Sequence, residues 1–229
     1  MRTQKTVFSI LVVFFGGWSY AQEPLTYQTP PKAIADLVNA PLTPNTMLSP
    51  SKEQFVFMER PAMSGIDELS QPELRIAGLR INPRTNGRSR SSHYIGLSIR
   101  PLMGGKEVKV TRLPANPKIS SVSWSPDGKQ LAFAVTSNEN ISLWIADTKR
   151  GKAKLAIKNS LNATYGTPFR WLSDSKGLVA LTVPAGRGPV PAESTVPEGP
   201  VLQENLGEKA PARTYQDLLK SPHDEELFD

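Results

Sequence analysis

Cysteine is absent from the 229 residues of this chain, and histidine occurs only twice. The lack of cysteine excludes disulfides, thiolate metal sites and cysteine nucleophiles together. Charge is also nearly balanced, because Lys and Arg exceed Asp and Glu by six and are interspersed with them. Nucleic acid is therefore not an expected partner. The 21 prolines and 16 glycines favour a turn-rich β fold over a helical bundle.

Long apolar runs are missing except near the start, where residues 1–21 have the pattern of a secretory signal. Basic Arg2 and Lys5 precede an apolar run at 7–15, and small residues stand at Ser19 and Ala21. The run is short for a membrane span, although an uncleaved anchor is the alternative. Cleavage would leave 229 − 21 = 208 residues. We expect a secreted or periplasmic protein that does not bind the membrane after cleavage.

One phrase of a dozen residues occurs twice, at 122–133 and at 169–180, and a weaker copy lies at 47–57. Trp124 and Trp171 occupy equivalent positions, 171 − 124 = 47 residues apart. This interval is typical of β-propeller blades, which bury their faces only against neighbouring blades. The alternative is a set of unrelated hairpins in a sandwich.

The phrase predicts a hairpin from local chemistry. Pro126 and Asp127 suit the first turn positions, and Gly128 suits the position with positive φ. After the turn, large and small residues alternate with period two (Leu131, Phe133 and Val135 against Ala132 and Ala134). This alternation predicts a strand with two different faces. Further strands are predicted over 76–81, 94–99 and 141–146.

These patterns divide the chain into five parts: a signal (1–21), an extended lead-in with a short helix at 31–38 (22–45), propeller blades (46–183), a Pro-rich loop (184–212) and a final segment (213–229). In the final segment, a helix over 214–220 is predicted, with Ser221-Pro222 as its end.

Three segments resemble the N-terminal part of secreted prolyl oligopeptidase-family serine peptidases. They are residues 79–90, the phrase at 122–133, and the tail at 197–205, 212–219 and 224–229. The similarity is to the glutamyl endopeptidase-like branch. It implies an all-β, partial β-propeller of about three blades, with a Pro-rich loop and short helices. Members of the family continue into an α/β-hydrolase domain with a Ser, Asp and His triad, which we expect to be absent here.

Catalytic groups of that kind are not expected in this chain. It contains no G-x-S-x-G, since residues 96–100 lack the final Gly. His93 and His223 are interpreted as solvated loop residues. We predict no catalytic residue, no metal and no cofactor, and no activity of this chain alone.

An arginine cluster is the candidate binding feature. Arg80, Arg84, Arg88 and Arg90 surround an Asn86-Gly87 turn. A peptidase that selects acidic side chains needs guanidinium groups for the substrate carboxylate. Arg88 and Arg90 are the predicted substrate-binding residues, and a solvated, structurally paired loop is the alternative.

Other candidates have structural interpretations. Asp127 and Asp174 stand at equivalent turn positions and should bond their own backbone. Trp124, Trp144 and Trp171 should pack between blades. The acidic run 224–226 should be a solvated turn, since it lacks the spacing of a Ca²⁺ loop.

The resemblance thus implies the propeller portion of a peptidase whose partners are peptides, with a preference for acidic side chains in the whole enzyme. The alternative is a stand-alone periplasmic binding or scaffold module, which would have to close its ring with more blades than 46–183 can supply. The oligomeric state stays open.

Overall fold

The computed structural model describes residues 28–196, 199, 206–209 and 217–229. The predicted signal at 1–21 and most of the tail segments at 197–205 and 212–216 lie outside the described residues. Contacts divide the chain into a first part ending at Leu37 and a compact unit, Val38–Asp229. Helix α1 (Lys32–Val38) confirms the predicted helix at 31–38. It starts directly after Pro31, whose fixed φ and missing N–H suit a helix start.

The other described elements are, in chain order, β1 (Leu42–Leu48), β2 (Gln54–Arg60), α2 (Ile66–Leu69), β3 (Leu74–Ile76), β4 (Leu79–Asn82), β5 (Gly87–Arg88), β6 (Gly96–Pro101), β7 (Val108–Lys109), β8 (Lys118–Trp124), β9 (Gln130–Thr136), β10 (Ile141–Asp147), β11 (Ala153–Ile157), β12 (Phe169–Trp171), β13 (Leu178–Ala180) and α3 (Pro222–Phe228). The first sheet thus begins at Leu42, within the segment predicted as a lead-in.

The strands form two four-stranded antiparallel blades and the start of a third. Blade 1 has the order β1-β2-β6-β7, blade 2 consists of β8 to β11 in sequence, and blade 3 contains β12 and β13. A three-stranded sheet, β3-β4-β5, is inserted between β2 and β6. The predicted all-β, partial propeller is confirmed.

The same six-residue turn closes the first hairpin of each blade. Its first N–H donates to the C=O of its sixth residue, at 2.8 Å in blade 1 and 2.9 Å in blades 2 and 3. Its fourth residue has a positive φ in every copy (Lys52 58°, Gly128 70°, Ser175 62°). The weaker copy at 47–57 is therefore a true repeat. Its turn lies 125 − 49 = 76 residues before the next one, because the inserted sheet lengthens blade 1.

Blade 2 buries both of its faces. Leu131, Phe133 and Val135 pack in one cluster with the blade 1 residues Val56 and Ile99. On the opposite face, Ala132 and Ala134 pack in a second cluster with residues that include Leu161 and Phe169. The predicted alternation is confirmed, and the small alanines let the following segment approach closely.

The prediction of one strand over 76–81 is wrong. Residues 74–82 form the hairpin β3-β4, in which Ile76 pairs with Leu79. The two residues between them, Ala77 and Gly78, have φ of 52° and 71°. Positive φ at both central positions is the geometry of the tightest hairpin turns, so the chain reverses direction at Ala77 and Gly78, within the predicted strand.

The prediction for the final segment also needs correction. Residues 217–220 are not helical, and α3 begins at Pro222. Ser221 caps this helix, because its side chain accepts a hydrogen bond from the Asp224 N–H. Proline at the first helical position starts a helix as readily as an interior proline ends one. The acidic run 224–226 therefore lies in the first turns of α3 and is not a turn.

Asp127 acts through its turn, as predicted, and this gives a test by pH. Its Oδ1 accepts hydrogen bonds from the Ser125 hydroxyl (2.7 Å) and the Lys129 N–H (3.1 Å). These bonds lower the pKa of the Asp127 carboxyl below 3.8. A lowered native pKa stabilises the fold above the unfolded value, and this contribution is lost as pH falls through the native value.

Asp127→Asn should therefore reduce the loss of stability between about pH 5 and pH 2. The measurement is the urea midpoint of the variant and the unmodified chain across that range. Parallel curves for the two proteins would contradict the prediction.

Candidate functional site

A cavity of about 300 Å³ lies where the inserted sheet meets blade 2. Its walls come from α2, from β4 and β5 with the loop that follows, and from the ends of β8, β9 and β10. We call it the insert cavity. The side chains that give it its chemistry are Glu68, Gln71, Arg88, Arg90, His93 and Lys118.

Close backbone contacts hold the inserted sheet in place. The Ala163 N–H donates to the Asn86 C=O at 2.7 Å, and Gly87 forms a parallel bridge with Ala163. A side chain at Gly87 would begin 2.7 Å from the Ile141 Cδ1. The glycine of the predicted turn thus lies close to blade 2, and the positive φ belongs to Asn86 (53°).

The structure brings two of the four clustered arginines to the cavity. Arg88 and Arg90 line it, whereas Arg80 and Arg84 do not. Arg80 pairs with Asp217, with 3.4 Å between Nε and Oδ2. Arg88 is exposed and forms no ion pair with the described residues.

Arg90 is held from one side. Its Nε lies 3.8 Å from Glu73 Oε2, and its Nη2 is 3.5 Å from the Leu69 C=O. Glu73 also accepts a hydrogen bond from Arg75, which lowers the pKa of the Glu73 carboxyl. Arg90 is still about half exposed (48%), so its guanidinium has donors left for a ligand.

Lys118 is a cavity residue that the sequence did not indicate. Its Nζ donates to Asp67 Oδ2 at 2.7 Å, across the junction of α2 and β8. This contact lowers the pKa of the Asp67 carboxyl. A lysine at the start of a strand carries no signal of its own, and only the packing of α2 on blade 2 gives it a place in the wall.

The interpretation of His93 as a solvated residue is wrong, and so is the placement of His223 in a loop. The His93 side chain is only 13% exposed, and its Nδ1 lies 3.6 Å from Glu68 Oε2. His223 lies in α3, where its Nδ1 is buried without a hydrogen-bond partner in the described structure. His93 therefore belongs to the insert cavity, where burial depends on α2, far from it in sequence.

The tryptophans pack against the sheet clusters, as predicted. Trp124 is buried in the cluster between blades 1 and 2, and Trp144 packs on that cluster. Trp171 packs on the second cluster, and its Nε1 donates to the Ser123 C=O at 3.3 Å. This last bond joins blade 3 to blade 2.

One sheet face of blade 3 is open. Val179 and Leu181 are 59% and 55% exposed, and Leu172 beside them is 44% exposed. Thus blade 3 lacks, among the described residues, the cover that blade 2 has on both faces.

Two absences concern the described residues only. No helix among them has the length and apolar character needed to cross a membrane. In the same ranges, no three His, Asp or Glu side chains converge as metal ligands would.

The chain is similar to two plant proteins over most of its length. It is 40% identical over 217 residues to "Probable glutamyl endopeptidase, chloroplastic" of Oryza sativa subsp. japonica, which covers 89% of this chain and 23% of that protein. With the protein of the same name from Arabidopsis thaliana it is 38% identical over 216 residues, covering 89% and 22%. The resemblance to the glutamyl endopeptidase-like branch is confirmed. The chain spans less than a quarter of the length of these relatives.

Solved structures of peptidases are more distant. The match to an acylaminoacyl peptidase of Pyrococcus horikoshii covers 61% of this chain and 16% of the peptidase chain, with 18% identity and a TM-score of 0.33. An acylaminoacyl peptidase in complex with Z-Gly-Gly-Phe-chloromethyl ketone matches 74% and 21%, with 17% identity and a TM-score of 0.36. No protein-family model matches the chain. The relationship to peptidases therefore depends on the sequence similarity to the plant proteins.

Proposed function

We propose that this chain, a homologue of the glutamyl endopeptidases over 89% of its length, is the propeller portion of an exported serine peptidase that prefers acidic side chains. The identity of 40% to one such relative carries the proposal. The chain contains no G-x-S-x-G, so the Ser, Asp and His of acyl transfer would belong to another part of the whole enzyme. The propeller would then bind peptides and control their access.

The insert cavity supports the acidic preference. Arg88 and Arg90 share its wall with Lys118, and a guanidinium binds a carboxylate with two parallel hydrogen bonds. Arg88 is free of ion pairs with the described residues, so no internal acid competes with a ligand there. Such a wall favours a Glu or Asp side chain over its amide.

The open face of blade 3 favours a propeller portion over a stand-alone module. Val179 and Leu181 alternate with the residues that pack on blade 2, which is the pattern of a sheet buried on both faces. In a complete propeller this face would be covered by another blade.

Binding of acidic peptides tests the cavity. Isothermal titration of the full chain should show tighter binding of a Glu-containing peptide than of its Gln counterpart. Arg88→Gln combined with Arg90→Gln should weaken binding of the Glu peptide at least about tenfold, since charged hydrogen bonds contribute about 1.5–3 kcal/mol. Arg84→Gln, which changes an exposed arginine outside the cavity, is the matched control. Equal losses in the two variants would contradict the role of the cavity.

Hydrolysis tests the absence of catalytic groups. The purified 229-residue chain should not release the chromophore from a Glu-containing chromogenic peptide, because no nucleophile elbow is present. Turnover that a serine-directed inhibitor abolishes would overturn this prediction.

A further inference from the structure

A carboxylate oxygen is buried in the insert cavity without a hydrogen-bond partner. Glu68 is only 9% exposed, and its Oε2 has no partner among the described residues. His93 Nδ1 is 3.6 Å away, which is too far for a hydrogen bond. Leaving a buried carboxylate oxygen without a hydrogen bond is costly. The position is therefore suited to an external donor.

A second buried acceptor comes from the same turn as the first. Gln71 Oε1 is also buried and has no partner in the described structure. The orientation of this amide is determined, because Gln71 Nε2 donates to the Asp67 C=O at 3.2 Å. Glu68 and Gln71 come from the same turn, since the Gln71 N–H donates to the Glu68 C=O. One wall of the cavity therefore offers two acceptors and one negative charge.

Three other lining residues have the opposite charge. Arg88, Arg90 and Lys118 are cationic donors. Lys118 pairs with Asp67 and Arg90 with Glu73, so Arg88 is the one without an ion pair in the described structure. A ligand that satisfies both sets of residues must carry a cationic, donor-rich group and an anion a short distance apart. An ammonium has three donors and a positive charge, whereas a main-chain amide has one donor and no charge. The first residue of a peptide, when it is Glu or Asp, carries both groups.

We propose that the insert cavity binds the free N-terminus of peptides whose first residue is acidic. The α-ammonium group donates to Glu68 Oε2 and Gln71 Oε1, and the side-chain carboxylate pairs with Arg88 and Arg90. This proposal rests on the proposed acidic preference and adds a requirement for a free amino group. The cavity would therefore bind chain ends that begin with an acidic residue.

Titration of three tripeptides into the full chain tests the requirement. The probes are Glu-Ala-Ala, its N-acetylated form and Gln-Ala-Ala. Acetylation removes the charge and two of the three donors, so the acetylated peptide should bind at least about tenfold more weakly than the free one. In Glu68→Gln, the free and acetylated peptides should bind about equally. Glu139→Gln, at an exposed turn outside the cavity, should leave the discrimination unchanged.

The outcomes separate this proposal from the proposed function. Equal binding of free and acetylated Glu peptides, both tighter than the Gln peptide, would overturn the N-terminal proposal and leave the acidic preference standing. Tight binding of both free peptides with weak binding of the acetylated one would overturn the acidic preference, and with it the proposal that the first residue must be acidic. Absence of binding by all three would overturn both. If Glu68→Gln does not fold, as judged by circular dichroism, the proposal is tested by the affinities of the free and acetylated Glu peptides for the unmodified chain.

Discussion

Replacing Gly151 with alanine is expected to lower the free energy of unfolding by about 2–4 kcal/mol, from a positive-φ penalty of about 1 kcal/mol and overpacking of about 1–3 kcal/mol. Gly151 is buried at the junction of blades 1 and 2, and its φ is 65°. A Cβ there would overlap the Lys109 C=O and come within 2.8 Å of Val108 Cγ1. The Lys109 C=O is backbone and cannot rotate away.

The junction depends on that close approach. The Gly151 C=O accepts a hydrogen bond from the Thr111 N–H at 2.7 Å, and the Thr111 C=O accepts one from Ala153 at 3.0 Å. Displacing Gly151 would therefore strain the backbone bonds that connect the two blades. Urea denaturation followed by tryptophan fluorescence measures the effect.

Gly78 is a matched control for this substitution. Its φ of 71° is almost the same, and no atom lies within 4 Å of the position of an added Cβ. Gly78→Ala should cost only the conformational penalty, about 1 kcal/mol. Equal destabilisation by the two substitutions would show that the close approach at Gly151 contributes nothing.

Phe133→Ala is expected to destabilise the chain by about 3–5 kcal/mol, the usual cost of removing a fully buried aromatic ring. Phe133 is 0% exposed and is one of the largest buried side chains. It points from the centre of β9 into the cluster formed with Val56, Leu97 and Ile99. The cavity left behind would lie between two sheets. Because hydrogen bonds hold the backbones of both sheets in place, the cavity could collapse only in part.

Phe57→Ala provides the comparison. Phe57 is half-buried on β2, where the Arg100 guanidinium lies 5.0 Å from its ring. Because Arg100 can move over the vacated surface, the loss should be less than half of that for Phe133→Ala. A larger effect at Phe57 would mean that the core of the blade pair does not lie where the structure places it.

The sequence indicated the arginines of the insert cavity but not its buried acceptors. Arg88 and Arg90 were recognisable because a concentration of arginines near a turn is unusual in a chain of balanced charge. Glu68 and Gln71 gave no signal, since a short helix with acidic residues resembles any solvated surface segment. Their burial depends on contacts such as that between Asp67 and Lys118, 51 residues apart.

The amino-acid sequence alone determined the blade hairpins, because each hairpin is formed by residues that are close together along the chain. These residues are a positive-φ residue at the fourth turn position and side chains that alternate between the two faces of the strands. The tertiary structure decided where the inserted sheet lies and which charges meet there. Local preferences act over a few residues, whereas the insert cavity joins α2, β5 and β8, which come together only through packing between sheets.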